Sequence, residues 1–467
     1  MQSDIIKNIS PTRLLTLTLC FILLSGCASS ARIRNEAITE PKPTMREQRS
    51  TGISGQRSND VLFMLAFSGG GTRAAPLSYG VLEELRETSY VFNDREIRLL
   101  DEVDSITSVS GGSFTAAYYG LHGDRIFEDY EEVFLRRNVQ RTLINGLLNP
   151  INWIKMITTR FNRTEMAIDY YDRQIFKHAT FSDIEAHEGP EIVINATDLG
   201  IGQRFSFNQG YFNLICSDLS SFSVSRAVAA SSAVPVAFAP VTLENHTGCK
   251  LKEEQWQNYR AAPRTTDNPR VRVLSEGIES YFDKENRRFI HLVDGGVTDN
   301  LGIRSLYDNI EYAGGALQAV KKLGHMPRFI IIMLVNAETS TIRPMDRENK
   351  TPSATTVVEA VSGTQIKRYN LESDILLEKS LAKWTEELSS QGNPIKSYFV
   401  KIDFESIADE RQRFIFNNMA TSFSLPDEEV DNLIEAGHRL LQASPEYQDL
   451  IRLIREEERK QAAPTSM

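Results

Sequence analysis

Ser108-Val109-Ser110-Gly111-Gly112 joins a nucleophilic hydroxyl to the small neighbours that a sharp strand-to-helix turn demands. In such an elbow, side chains two positions before and after the central serine would collide, so small residues are needed there. Gly112 meets that need, and Ser108 stands where the pattern G-x-S-x-G has glycine. A helix starting beyond Ser110 would aim backbone donors and its positive dipole end at developing negative charge. Taken alone, the segment reads equally well as a structural glycine turn. A second stretch, Gly69-Gly70-Gly71-Thr72-Arg73, lets main-chain N–H groups converge without Cβ obstruction, which makes an anion pocket. No Lys-Ser/Thr pair follows it and no G-x-G-x-x-G spacing is present, so an oxyanion hole fits better than a nucleotide phosphate loop. A third stretch, His291-Leu292-Val293-Asp294-Gly295-Gly296, carries Asp294 to a strand end, where the sites of open α/β sheets gather. By itself, Asp-Gly-Gly is also a common turn.

In this order the three stretches resemble the patatin-like phospholipase family, with its glycine-rich oxyanion loop, serine elbow and aspartate in Asp-Gly-Gly or Asp-Gly-Ala. Ala229-Ala230-Ser231-Ser232-Ala233-Val234-Pro235, between elbow and aspartate, is similar to the family's fourth block. The resemblance runs from Val61 to Asn300, with weaker support to Val335. It implies Ser110 as nucleophile, Asp294 as its proton acceptor, and Gly69, Gly70, Gly71 and Arg73 as the oxyanion loop. Two positions depart from it: Ser68 where many members have aspartate, and Ala74 where glycine is frequent. The fold implied is an α/β three-layer sandwich with a mostly parallel central sheet, here followed by C-terminal helices. The activity implied is hydrolysis of acyl esters in phospholipids or related lipids by a Ser–Asp dyad through an acyl-enzyme. A histidine base is the competing arrangement. His291 is three strand positions from Asp294, so the two face opposite sides. His325 and His438 suit the order Ser…Asp…His but lack a recognisable context. An idle scaffold on the same fold, and an esterase or thioesterase for small acyl substrates, are the alternatives to a lipid hydrolase.

The elements that must hold these residues alternate. Asp60 to Phe67 is a continuous apolar run, as in a strand buried on both faces. Val103–Val109, Ile192–Ala196, Phe289–Val293 and Phe329–Val335 read as further strands, with Tyr398–Phe404 at an edge. Helices are predicted at Ser225–Ala233, ended by Pro235, at Leu301–Lys322, and at Pro426–Gln442 and Tyr447–Lys460. Strands alternating with helices imply a sheet covered on both faces. Lys250–Arg288 is polar and interrupts the sheet, as an insertion.

Composition sets the outer limits. The 467 residues are 41% hydrophobic and 24% charged, which excludes wholesale disorder, and the net charge of −10 argues against general nucleic-acid binding. Leu14–Leu24, after Lys7 and Arg13, is too short to span a bilayer and reads as an export signal. It ends in Leu24-Ser25-Gly26-Cys27, which resembles a bacterial lipobox, so Cys27 is the expected lipid attachment and membrane anchor. Ala28 after the cysteine favours the periplasmic face of the outer membrane. The expected organisation is a signal over 1–26, a lipidated flexible tether over 27–59, and one hydrolase domain over 60–467. Within that domain lie a motif core at 61–300, an insertion at about 250–288 and a C-terminal extension at 340–467. Cys216 and Cys249 either pair with each other or stay as two thiols. Arg136, Arg137, Arg141, Lys155, Arg160 and Arg163 punctuate the apolar stretch Leu135–Arg163, which reads as a lipid-docking patch or as a core-packed helical hairpin. No metal-ligand cluster calls for a metal or cofactor, and no protein partner is indicated.

Overall fold

The computed structural model describes residues 31–45, then 60–250 apart from 93–94, 150–154, 156–158 and 160, then 268–462 apart from 341–343, 348, 393, 420 and 423. The export signal and Cys27 lie outside these residues, as does most of the apolar part of the 149–160 stretch, including Trp153 and Ile154.

Eight strands form the central sheet: β1 (Val61–Phe67), β2 (Val103–Val109), β3 (Glu191–Asp198), β4 (Gln203–Phe207), β5 (Val241–Glu244), β6 (Phe289–Asp294), β7 (Phe329–Asn336) and β8 (Lys396–Asp403). Their order is β8-β7-β1-β2-β3-β6-β5, with β4 also on β3. The five strands from β8 to β3 are parallel, whereas β6 and β4 run antiparallel to β3. The helices used below are α1 (Ala74–Glu87), α2 (Gly111–His122), α3 (Val139–Leu148), α4 (Arg163–Gln174), α5 (Val224–Ser231), α6 (Pro269–Ser280), α7 (Ile303–Tyr312), α8 (Ala316–Leu323), α9 (Ala354–Ser389), α10 (Glu410–Asn418), α11 (Asp427–Ala443) and α12 (Pro445–Ala462).

Strand alternation divides the apolar runs between two layers. Phe63, Leu65 and Phe67 of β1 join the core that includes Leu77 and Val81 of α1 and Leu433 of α11. Met64 and Ala66 join a second core with Ile303 and Leu306 of α7, Val320 of α8, and Leu377 and Trp384 of α9. Helices therefore cover both faces, which is why these strands carry no polar face. Among the described residues, no helix is long and apolar enough to cross a membrane.

Two expectations are revised, the free tether and the single helix over 301–322. Residues 31–45 do not behave as a free tether: Glu36–Ala37 pairs antiparallel with Ser217–Asp218. Buried Asn35 donates to Ser217 and to the Glu244 carbonyl, and Lys42 pairs with Asp218 at 2.6 Å. The helix predicted over 301–322 is broken into α7 and α8 at Gly314-Gly315, both with positive φ. The 250–288 insertion carries α6, whose Val271 and Ile278 are buried, and Tyr281, which donates to Asp198. The C-terminal extension supplies β8 at the sheet edge, where Tyr398–Phe404 is expected, and gives α9 and α11 to the two faces. Gly80 and Gly437 let α1 and α11 cross at backbone contact: a Cβ on Gly80 would lie 2.1 Å from the Ile434 carbonyl oxygen. Cys216 and Cys249 are joined by a disulfide.

Candidate active site

The register of β3 explains how two distant residues meet. Residues Ile194–Asp198 pair with β4 along one edge of β3. Along the other edge, Glu191–Asn195 pair with β2 and Ala196–Asp198 pair with β6. The parallel β2 and antiparallel β6 thus share one edge and run toward each other, ending opposite Asn195 and Ala196. Ser110 follows β2 and Asp294 closes β6, so their side chains converge where the two strand ends face. Asp294 therefore arrives on a strand of reversed direction, where the sequence reading had assumed an ordinary carboxyl end.

Ser110 has φ 49° and ψ −119°, the positive-φ turn that the elbow requires. The surroundings hold it there. Its N–H donates to Ser231 Oγ at 2.8 Å, and Ser231 Oγ in turn donates to the Asn195 carbonyl at 2.6 Å. A Cβ on Gly111 would lie 1.9 Å from the Gly71 oxygen, and one on Gly112 would lie 2.7 Å from the Ser68 oxygen. Ser108 fits in place of glycine by burying its hydroxyl against the Val193 carbonyl at 3.3 Å. Ser68, another departure, donates to the Gly69 carbonyl and accepts from the Ala337 N–H.

Ser110 Oγ donates to Asp294 Oδ2 at 3.0 Å. The Gly296 N–H donates to the other carboxylate oxygen at 2.7 Å. Burial pushes the Asp294 carboxyl up to about 6, with the Gly296 N–H and the Ser110 hydroxyl pulling the other way. Of the histidines weighed as bases, His291 and His325 are exposed. His438 hydrogen-bonds to Glu83 and Glu84 where α11 packs on α1.

The glycine loop is only partly as expected. Gly70 (φ 151°) and Gly71 (φ 62°) take conformations that side-chain-bearing residues rarely adopt. Gly69, however, spends its N–H on the Asn300 carbonyl at 2.8 Å. The Arg73 guanidinium does not join the anion pocket either: it donates to the Met419 carbonyl and to Thr421. Burial lowers Arg73 to about 10, with Glu429 opposing. The side chain clamps the C-terminal segment onto the loop, which explains a buried cation beside an anion site.

Ser110, Asp294 and the glycine loop lie in a cleft of about 1180 Å³. One arm is aromatic: Phe114 stacks on Phe134 at 4.4 Å and meets Tyr171 edge-on at 5.0 Å. The other arm is bounded by α9 and by the ends of β7 and β8, with Lys367, Glu338 and Lys401 among its charged groups. Of the basic apolar stretch 135–163, Leu143 and Phe161 are core residues and Arg136 pairs with Glu131 and Asp431, while Ile144 and Leu148 are exposed. Among the described residues one group, Glu84, Glu87 and His438, brings three potential metal ligands together, at the far end of α1 from the glycine loop.

A family profile described as patatin-like phospholipase matches residues 65–307, more than half of the chain. The chain belongs to the patatin-like phospholipase family. The family match thus takes in the glycine loop, the elbow and the Asp294 turn of this patatin-like protein, and stops before β7 and β8. Among solved structures, human GIVD cytosolic phospholipase A2 aligns at 10% identity over 89% of this chain with a TM-score of 0.42, and the patatin-like protein spans 63% of that chain. VipD from Legionella pneumophila aligns at 11% identity over 92% of this chain and 73% of its own, with a TM-score of 0.31. No curated protein matches it in sequence.

Proposed function

We propose that the protein hydrolyses carboxylic esters of phospholipids or related lipids, with Ser110 as nucleophile and Asp294 as its base. The observation that carries this reading is the 3.0 Å hydrogen bond from Ser110 Oγ to a buried carboxylate, on a positive-φ elbow inside an aromatic-walled cleft. Asp294 takes the hydroxyl proton as Oγ attacks the ester carbonyl. The tetrahedral oxyanion collapses, the alcohol leaves with that proton, and water then releases the acid from the acyl-serine. A carboxylate is a weak base toward a serine hydroxyl, so its raised proton affinity and oxyanion stabilisation must lower much of the barrier. With Gly69 committed to Asn300, the donors nearest to hand are the main-chain N–H groups of Gly70 and Gly71 and the N-terminus of α2. Each well-aimed donor is worth about 2.7–4 kcal/mol in the transition state. The Phe114, Phe134 and Tyr171 arm suits an acyl chain.

The reading extends to the bacterial envelope. Leu24-Ser25-Gly26-Cys27 supports acylation of Cys27 and attachment to the outer membrane facing the periplasm, and the Cys216–Cys249 disulfide suits an oxidising compartment.

The test is a fluorophosphonate probe together with mixed phospholipid vesicles, comparing the parent with Ser110→Ala and Asp294→Asn. We expect labelling and fatty-acid release by the parent, neither by Ser110→Ala, and loss of release by Asp294→Asn. A parent that neither labels nor releases fatty acid sinks the proposal.

A further inference from the structure

Helix α9 is anchored by only part of its length. Its second half packs through Leu377, Leu381, Trp384 and Leu388 into the core shared with α7, α8 and β7. Among the described residues, none from Ala354 to Tyr369 is buried, and burial begins at Asn370. At 1.5 Å per residue, about 24 Å of helix stands clear of the core. That arm is not polar, as a solvated helix end would be. Val357, Val358 and Val361 are 46%, 45% and 56% exposed, and with Ala354 they follow the i, i+3, i+4, i+7 spacing of one helix face. The arm also borders the cleft, since Val358, Ser362, Ile366 and Lys367 line it.

A second apolar group flanks the same mouth. On α10, Phe414 is 67% and Ile415 is 49% exposed. That helix is tied to the cleft wall, because the Ser340 N–H donates to Asn417 and Lys367 Nζ reaches Ser340 Oγ at 3.3 Å. Val234 and Val236 are exposed beside Pro235, and Val234 and Pro235 also line the cleft.

We propose that the N-terminal arm of α9, with Phe414 and Ile415 of α10, is a bilayer-docking collar that enters the lipid interface and opens the cleft onto it. The proposal rests on the reading of the cleft as a lipid-ester site. The occupant follows from continuity: Val358 and Val234 belong at once to the exposed surface and to the cleft lining. A protein seated on both would cover the mouth. A lipid interface covers the same apolar groups while supplying acyl chains to the aromatic arm. The Lys367 and Arg368 cations, one turn or more inward of the valines, stand at the level where headgroup phosphates would meet the arm.

The experiment uses the full chain with Ser110→Ala, so that vesicle lipids stay intact. Nitroxide is placed at Val361→Cys, or at Lys383→Cys on the packed half, under non-reducing conditions, with the equally treated Ser110→Ala chain as blank. On phosphatidylglycerol/phosphatidylethanolamine vesicles, the probe at 361 should lose access to an aqueous nickel chelate severalfold and gain access to oxygen, and the probe at 383 should change little. Equal aqueous access at both positions overturns the proposal. Protection at 361 without vesicles, with a doubled mass, overturns it in favour of a second copy. In the active chain, Val357→Asp with Val361→Asp should lower kcat/KM on vesicles by about tenfold or more and leave a soluble short-chain ester within about twofold. An equal fall on both substrates also counts against the collar. If the parent cleaves neither substrate, the hydrolase reading fails, and the nitroxide measurement still decides the docking.

Discussion

A carboxylate that takes a proton from a serine must be buried enough to want it and ionised enough to accept it. As the proposed base, Asp294 would meet both demands at a cost to the fold. Its folded-state value of about 6 exceeds the ordinary 3.8, so the native state holds this proton more tightly than the unfolded chain. Stability from this group is therefore present below about pH 4, declines as pH rises toward 6, and stays lower above it. Activity should do the reverse, rising through about pH 6 as the carboxylate forms. Asp294→Asn should abolish fatty-acid release and raise the unfolding free energy at pH 7, by up to on the order of 3 kcal/mol. Denaturation of both chains from pH 4 to 8 checks this, and a variant equally destabilised at every pH would contradict it. At this scale the sequence was informative where chemistry requires a residue type: Ser110, Asp294 and the glycines are recognisable by identity and order. Ser231 and Asn195 were missed as supports of the elbow. Asn195 had left a signal, as the polar residue in the apolar run Ile192–Ala196, because its side-chain amide donates to the Ser108 carbonyl. Arg73 reads as part of the glycine loop from its neighbours, whereas its guanidinium donates to Met419 and Thr421, more than 340 positions away.

Among the elements, the strands were legible because a run such as Val61–Phe67, buried on both sides, has few other ways to fold. Strand direction was not legible. Nothing in Phe289–Asp294 distinguishes a parallel from an antiparallel strand, yet the reversal of β6 is what turns Asp294 toward Ser110. Residues 31–45 were misread for a related reason: their polar composition matches a linker, while their docking depends on Asn35, Lys42 and a short strand pair formed with residues far along the chain. The Cys216–Cys249 disulfide braces that docking site from both sides, because the Ile38 N–H donates to the Cys216 carbonyl and the Lys250 N–H donates to the Thr39 carbonyl. Replacing both cysteines by serine should cost about 3–4 kcal/mol of stability, from the loop that the bond closes. It should also make trypsin cut sooner at Arg32 or Arg34, with fluorophosphonate labelling of Ser110 retained. Unchanged cleavage between residues 31 and 45 would mean that the segment docks without help from the bond.

Across the whole molecule, the family match ends at residue 307, but the sheet does not. The strands β7 and β8 continue it, α9 closes one face, and α11 crosses α1 at the Gly80–Gly437 contact. Both strands are legible in the sequence, but glycines within helices carry no signal of a crossing, so the contact of α1 with α11 is not. The proposed envelope location has its own check: the mature N-terminal peptide should begin at Cys27 and carry the mass of a diacylglyceryl group, and an unmodified Cys27 would remove it. The docked segment then acquires a mechanical meaning. From Cys27 to Asn35 is eight peptide steps, so a group on residue 27 can stray at most about 29 Å from the body. A leash loose as far as Asp60 would allow about 119 Å. In a molecule acylated at Cys27, the shorter one would keep the body within about 30 Å, one hydrocarbon-core thickness, of its own membrane.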